Sequence, residues 1–166
     1  MDRSVGIDYG KKRTGIAVSD PLNIFAQPME TVDGSKVIEF LKKYSEQETI
    51  TDLIVGYPKN LDNTPAEAAK DVDAFLQQLK KAFPEIPVHL EDERFTSVLA
   101  HRAMIDGGMK AKDRKDKKTV DKISASIILQ GYLDRKNGSE GGTGFAANIQ
   151  SIPESRTGKN FVKRRK

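Results

Sequence analysis

The chain has 166 residues, with 28 Lys or Arg against 24 Asp or Glu, two His and no Cys; this fits one domain with an ordinary core, excludes disulfides and thiolate metal sites, and leaves oxygen as the main donor for any metal. No apolar run approaches the roughly 20 residues of a membrane span, and Met1-Asp2-Arg3-Ser4 is unlike a signal peptide, so a soluble, cytoplasmic protein with no membrane partner is expected. The pI of 9.2 has a local origin: residues 137–166 carry six bases and two acids, whereas residues 1–136 balance at 22 against 22, and residues 110–118 alone hold six bases and two acids.

Residues 4–9 and 14–19 are short, β-branched segments around Gly10 to Arg13, which predicts a hairpin with a turn longer than two residues. A third strand is expected over residues 25–32, at a sheet edge because Pro28 cannot donate to a ladder. Asp33-Gly34-Ser35 offers a turn and cap, and Val37, Ile38, Leu41 and Tyr44 form a helical stripe. Asp52-Leu53-Ile54-Val55-Gly56 has the unbroken apolar character of a strand covered on both faces. Thr64-Pro65-Ala66-Glu67 matches a capping box, and Ala69, Val72, Leu76, Leu79 and Phe83 continue it as a helix that Pro84 closes. A strand over residues 86–91, a helix over 97–106 stopped by Gly107-Gly108, a charged loop and a helix over 120–136 complete the series.

The order βββαβαβαα predicts an α/β protein whose five-stranded mixed sheet has three antiparallel strands, then two parallel strands reached through helical crossovers. Residues 1–136 form the expected domain. Residues 137–166, rich in Gly, Ser, Asn and bases, are expected to be a disordered tail.

Asp8 follows Val5, Gly6 and Ile7 in the expected central strand, where an ionised carboxylate needs compensation. Either a base from Lys11, Lys12 or Arg13 supplies it, or Asp8 is a metal ligand. Helical geometry places Asp121 with Ala125, Ile128 and Tyr132, and opposite Lys122, Ser126 and Gln130, so its carboxylate lies on an apolar face; a first-turn acid favoured by the helix dipole is the alternative. Glu91-Asp92-Glu93 ends a strand with three acids that repel one another unless a cation or Arg94 is near, or form a solvated cap. Alternation sets Asp92 with Leu90, and Glu93 with His89 and Glu91, and leaves the choice between them open. Bases lie beside both Asp8 and Asp121 in sequence: Lys11 to Arg13 for the first, and the run that includes Lys112, Arg114 and Lys115 for the second. They suit a polyanion, or an ordinary solvated surface.

The run from Gly6 to Asp20, Gly-Ile-Asp-Tyr-Gly-Lys-Lys-Arg-Thr-Gly-Ile-Ala-Val-Ser-Asp, resembles the YqgF family (RuvX type) of RuvC-like, RNase H-fold nucleases, associated with Holliday-junction resolution or pre-16S ribosomal RNA processing. Val55 to Asp62, Asp92 to Ser97, and Asp121 with Ser124 to Gln130 are similar to further signatures of that family; Tyr57 and Asn63 depart from it locally. The resemblance implies an RNase H-like fold and a catalytic metal site of Asp8, Glu93 and Asp121, and it favours Glu93 over Asp92. Such carboxylates suit Mg²⁺ or Mn²⁺, one ion or two, with Lys11, Arg13, Arg94, Lys112, Arg114 and Lys115 toward substrate phosphates. The expected function is hydrolysis at the 5′ end of pre-16S rRNA, by a monomer or homodimer. Cleavage of branched DNA is the alternative, and a non-catalytic RNA-binding assembly factor a second. Asp-Tyr-Gly followed by Lys and Thr also resembles the phosphate loop of actin-like ATPases and sugar kinases, but those pair two such domains, and this length supplies one.

Overall fold

Residues 1–59, 62, 67–92 and 96–138 are described by the structure, a computed structural model. Strands β1 (Asp2–Asp8) and β2 (Arg13–Ser19) form the expected hairpin, with Asp8 opposite Gly15. β3 (Ala26–Asp33) adds antiparallel to β2, while β4 (Thr49–Tyr57) and β5 (Val88–Asp92) add in parallel on the other side of β1. The strand order β3-β2-β1-β4-β5 makes this the predicted mixed five-stranded sheet. Pro28 lies on edge strand β3 opposite Ala17, where the register shifts, so its missing N–H costs no interior ladder bond.

Alternation along the strands separates two apolar layers. Val5, Ile7 and Ile16 face Val37 and Leu41 of α1 (Val37–Ser45) and Val72, Phe75 and Leu79 of α2 (Ala69–Ala82). Ala17 and Ile54 face the other way, onto Ala125, Ile128, Leu129 and Leu133 of the last helix. Each of these fully buried aliphatic side chains is worth about 1.5–3 kcal/mol in transfer from water, so the sheet is fixed from both sides. Helix α3 (Thr96–Asp106) packs outside the last helix through Leu99 and Ala100 against Ile127. Asp33 caps a 3-10 turn (Gly34–Lys36) by accepting from the Ser35 N–H at 2.9 Å, and α1 continues directly from it.

Four local expectations are corrected. The loop expected after Gly108 contains a short helix, α4 (Ala111–Arg114), and the last helix, α5 (Lys117–Lys136), starts three residues early. Asp116 is its N-cap, accepting from Lys118 N–H at 3.3 Å; a polar first turn hid this start from a search for apolar periodicity. The regular part of α2 begins at Ala69, after Ala68, which makes no side-chain cap, so the capping-box start is not the start of this helix; Thr64 to Ala66 lie outside the described residues. Gln130, placed by periodicity on the face away from the core, is buried: its Oε1 accepts from Ala26 N–H and its Nε2 donates to the Ile24 carbonyl, both at 2.9 Å. It takes up backbone groups next to the edge strand. Residues 139–166, the expected disordered tail, also lie outside the described residues. Among the described residues no helix is long and apolar enough to cross a membrane.

Candidate active site

Helix α5 approaches the sheet closely because glycines leave room for it. A Cβ on Gly6 would lie 2.6 Å from Leu129 Cβ and 2.8 Å from the Ala125 carbonyl oxygen, and one on Gly15 would lie 2.0 Å from the Asp121 carbonyl oxygen. The missing side chains of both therefore point at α5. Asp8 lies two residues beyond Gly6 on β1, so its half-buried side chain leaves the strand toward α5 as well. Because Asp8 stands directly across from Gly15, and Gly15 is pressed against the main chain of Asp121, two acids 113 positions apart in sequence are brought to one place.

That place is the carboxyl end of the parallel strands. The register Ile7↔Val55 and Tyr57↔Asp92 sets the ends of β1, β4 and β5 side by side, the end of an open α/β sheet at which ligands bind. Thr31 Oγ1 of β3 donates to the Lys118 carbonyl at 2.5 Å, which fastens the first turn of α5 over this end.

Arg13, two residues before Gly15 and on the same face, donates its Nε–H to Asp121 Oδ2 at 2.8 Å. The pair is partly sheltered, with side-chain exposures of 37% for Arg13 and 21% for Asp121. Lys11 turns instead toward α2, where its Nζ is 3.3 Å from Asp71 Oδ1 on the open surface. Arg114 Nη1 donates to the Met109 carbonyl at 2.8 Å and closes the loop before α4, while Lys112 and Lys115 are exposed. The structure thus pairs Arg13 with Asp121, sets Asp8 across from Gly15 on the same face of the sheet, and holds Lys112, Arg114 and Lys115 in the segment leading into α5.

Glu93 and Arg94 lie outside the described residues. Their neighbours on β5 divide between faces: Val88 packs into the α1–α2 layer, whereas His89 and Glu91 reach α5. Glu91 is 3% exposed in its side chain and is gripped by both terminal nitrogens of Arg135, Nη1 at 2.8 Å from Oε2 and Nη2 on Oε1. It is a structural anchor between β5 and α5. His89 Nε2 lies 3.0 Å from Asp52 Oδ1 and 3.3 Å from the Tyr132 hydroxyl, and Lys136 Nζ lies 3.5 Å from Asp52 Oδ2. Burial pushes the Asp52 carboxyl up, but His89 and Lys136 outweigh it and hold Asp52 below the ordinary carboxylate range. Asp134, one turn beyond Gln130, differs. Gln130 Nε2 donates to its Oδ1 at 3.0 Å, its buried Oδ2 has no hydrogen-bond partner, and burial raises its pKa.

Among the described residues no group of three or more His, Cys, Asp and Glu is arranged to hold a metal. The donor chemistry of the site fits a hard cation: Asp8 and Asp121 offer carboxylate oxygens on one face, and Asp121 already holds a cationic group, the Arg13 guanidinium. What sequence reading missed are Gly6 and Gly15, which set the distance between α5 and the sheet. A glycine inside a β-branched strand is the signal that marks such close approaches.

The profile of a family described as "RuvX: Holliday junction resolvase" matches residues 2–135. The chain is 52% identical over 136 residues to a Phocaeicola vulgatus protein named "Putative pre-16S rRNA nuclease", covering 82% of this chain and 98% of that one. Similarly named proteins of Bacteroides fragilis (50% over 136 residues; 82% and 99% covered) and Flavobacterium psychrophilum (41% over 136 residues; 82% and 99% covered) are also similar. Among solved structures, Thermus thermophilus RuvC with a Holliday junction substrate superposes with a TM-score of 0.53 at 18% identity, covering 84% of this chain and 98% of that one. Fowlpox virus resolvase with Holliday junction DNA gives 0.53 at 11% identity, with 81% and 98% covered. At these identities the structural likeness establishes the fold, which is RNase H-like.

Proposed function

From the premise that this chain belongs to the RuvX (YqgF) family of nucleases, we propose that it is a divalent-metal-dependent phosphodiester hydrolase that processes the 5′ end of precursor 16S rRNA. The observation that carries the reading is the convergence of Asp8 and Asp121 across Gly15 at the carboxyl end of the parallel strands. Substrate choice follows the names of the relatives that match nearly all of residues 1–136.

In this reading Asp8, Asp121 and Glu93 are the residues that would hold Mg²⁺ or Mn²⁺; the choice of Glu93 over Asp92 rests on the family resemblance. A bound divalent ion supplies Lewis-acid polarisation of the phosphoryl group and a water activated near neutral pH. The chain's own residues orient the strand. Arg13, Arg94, Lys11 and the segment containing Lys112, Arg114 and Lys115 attract and align backbone phosphates, with the salt dependence that such contacts bring. The three acids repel a polyanion unless such bases surround them, which accounts for the segregation of charge along the chain. Residues 1–136 act as the nuclease domain of a cytoplasmic monomer or homodimer, and residues 137–166 as a basic appendage that adds affinity without choosing the cleavage site.

A second reading takes branched DNA as substrate and is favoured by the family's own description. Symmetric resolution of a junction needs two active sites, hence a dimer. Cleavage of precursor 16S rRNA and of a four-way DNA junction, side by side with Mg²⁺ or Mn²⁺, separates the two. Wild type is expected to cut the RNA and Asp8→Asn to cut neither. Cutting of the junction alone transfers the assignment to DNA, and equal cutting by Asp8→Asn removes the proposed active site.

A further inference from the structure

We propose that Arg13 is a built-in counter-cation that occupies the Asp121 carboxylate until a metal displaces it, so that metal entry and release of this guanidinium are one event. The inference rests on the reading of Asp8 and Asp121 as the metal-holding pair.

Arg13 and Asp121 are 108 residues apart, yet three independent features align them. Arg13 is the first residue of β2, its side chain lies on the face of Gly15, and Gly15 lets the Asp121 backbone settle onto the strand. The Nε–H bond at 2.8 Å is directed at Oδ2, one of the two oxygens Asp121 has for coordination. A guanidinium hydrogen-bonded to that oxygen takes one of its acceptor sites and offsets the carboxylate charge that would draw a divalent ion there, so the two cations compete for it. The neighbouring cations do not duplicate the contact where they are described: Lys11 pairs with Asp71 on α2, and Arg114 bonds the Met109 carbonyl.

Two consequences follow from competition. Without metal, Arg13 offsets the repulsion of clustered carboxylates and keeps α5 seated on β2. With metal, the guanidinium is displaced from Asp121 at the mouth of the site, where its 37% exposure lets a substrate phosphate take it up. Arg13 is therefore a positioning residue whose role changes with metal occupancy. Apparent metal affinity is reduced by the fraction of molecules in which the pair is closed.

Calorimetric titration of the full-length protein with Mn²⁺, without nucleic acid, tests this through affinity rather than activity. Arg13→Gln is expected to bind Mn²⁺ about threefold to tenfold more tightly than wild type, the range a partly exposed ion pair can supply. Equal or weaker binding by Arg13→Gln, with wild-type binding that Asp8→Asn abolishes, overturns the inference and leaves the metal site standing. Binding that Asp8→Asn and Asp121→Asn both leave unchanged removes the metal site and the inference together. Nitrogen-15 NMR of wild type gives a check that needs no variant at position 13. The hydrogen-bonded Arg13 Nε–H signal should be present without metal and lost or strongly shifted on Mg²⁺ saturation. If the amides of residues 8 and 121 respond to Mg²⁺ while that signal persists unchanged, the guanidinium is not displaced and the inference fails.

Discussion

Gly15 and Asp121 meet backbone to backbone: a Cβ built on Gly15 would lie 2.0 Å from the Asp121 carbonyl oxygen and 2.9 Å from the Lys122 nitrogen. Neither is the flexible end of a side chain, so Gly15→Ala must lift the first turns of α5 off β2. The expected cost is about 2–3 kcal/mol of stability by overpacking. Displacing one acid by about 1 Å should also lower cleavage roughly 100-fold. Urea denaturation and single-turnover cleavage read the two losses; normal activity in a stable Gly15→Ala protein would show that the site does not depend on this approach.

Neutralising Asp121 should remove cleavage and also destabilise the metal-free protein. Crowded acids alone would lead one to expect the opposite, since removing a charge relieves repulsion. The Arg13 bond reverses the sign: Asp121→Asn gives up a charge-assisted hydrogen bond in a half-sheltered pair, for a loss of about 0.5–1 kcal/mol. A rise in melting temperature for Asp121→Asn, measured with chelator present, would mean that repulsion dominates.

Glu91→Gln should be the most damaging of the acidic replacements for the fold. It leaves the Arg135 guanidinium facing a neutral amide at a buried contact, with an expected loss of about 3–5 kcal/mol and early hydrogen exchange of the β5 amides. Replacing both partners with apolar residues, Glu91→Leu with Arg135→Met, should recover most of that loss. If the double variant is no better than the single one, the buried pair is worth more than its desolvation cost.

Asp134→Asn should stabilise the protein at neutral pH. The native carboxyl titrates above its ordinary value because burial disfavours its charge, so the native state binds this proton more tightly than the unfolded chain does. Stability linked to Asp134 is therefore greatest below the ordinary carboxylate pKa, falls as pH rises through the window up to the raised native value, and stays reduced above it. An asparagine at this position carries no charge to bury, and a gain on the order of 1 kcal/mol at pH 7 should shrink to nothing near pH 3. A gain that does not vary with pH would point to packing instead of titration.

The strand order was readable because each strand announces its exposure. Pro28 marks an edge, and the unbroken apolar run of residues 52–56 marks an interior strand covered on both faces. Asp8 and Asp121 stood out as acids beside apolar residues, and Gly15 is the neighbour that both share, across the hairpin from Asp8 and against the main chain of Asp121. Long-range pairing left no local trace. Arg13 finds Asp121, Glu91 finds Arg135, and Gln130 takes up the Ala26 N–H of β3 across separations of 108, 44 and 104 residues. Periodicity ranks residues by face, and so it sent Gln130 to solvent. It carried no information that an amide was needed beside an edge strand. The early start of α5 was hidden for a related reason, because Lys117 and Lys118 belong to its first turn yet read as part of a charged loop.

Helix α5 has Asp121 near one end and Asn137 at the other, where the Asn137 amide is tied to the Asn23 carbonyl at 2.9 Å. At 1.5 Å per residue the two ends are about 24 Å apart along the axis. The chain beyond residue 138 thus continues from the end of α5 remote from Asp121, a separation of about two major-groove widths of a duplex. On the proposed reading of residues 137–166 as a basic appendage, lengthening or shortening it should change how long a substrate stays tethered and leave the position of the cut alone.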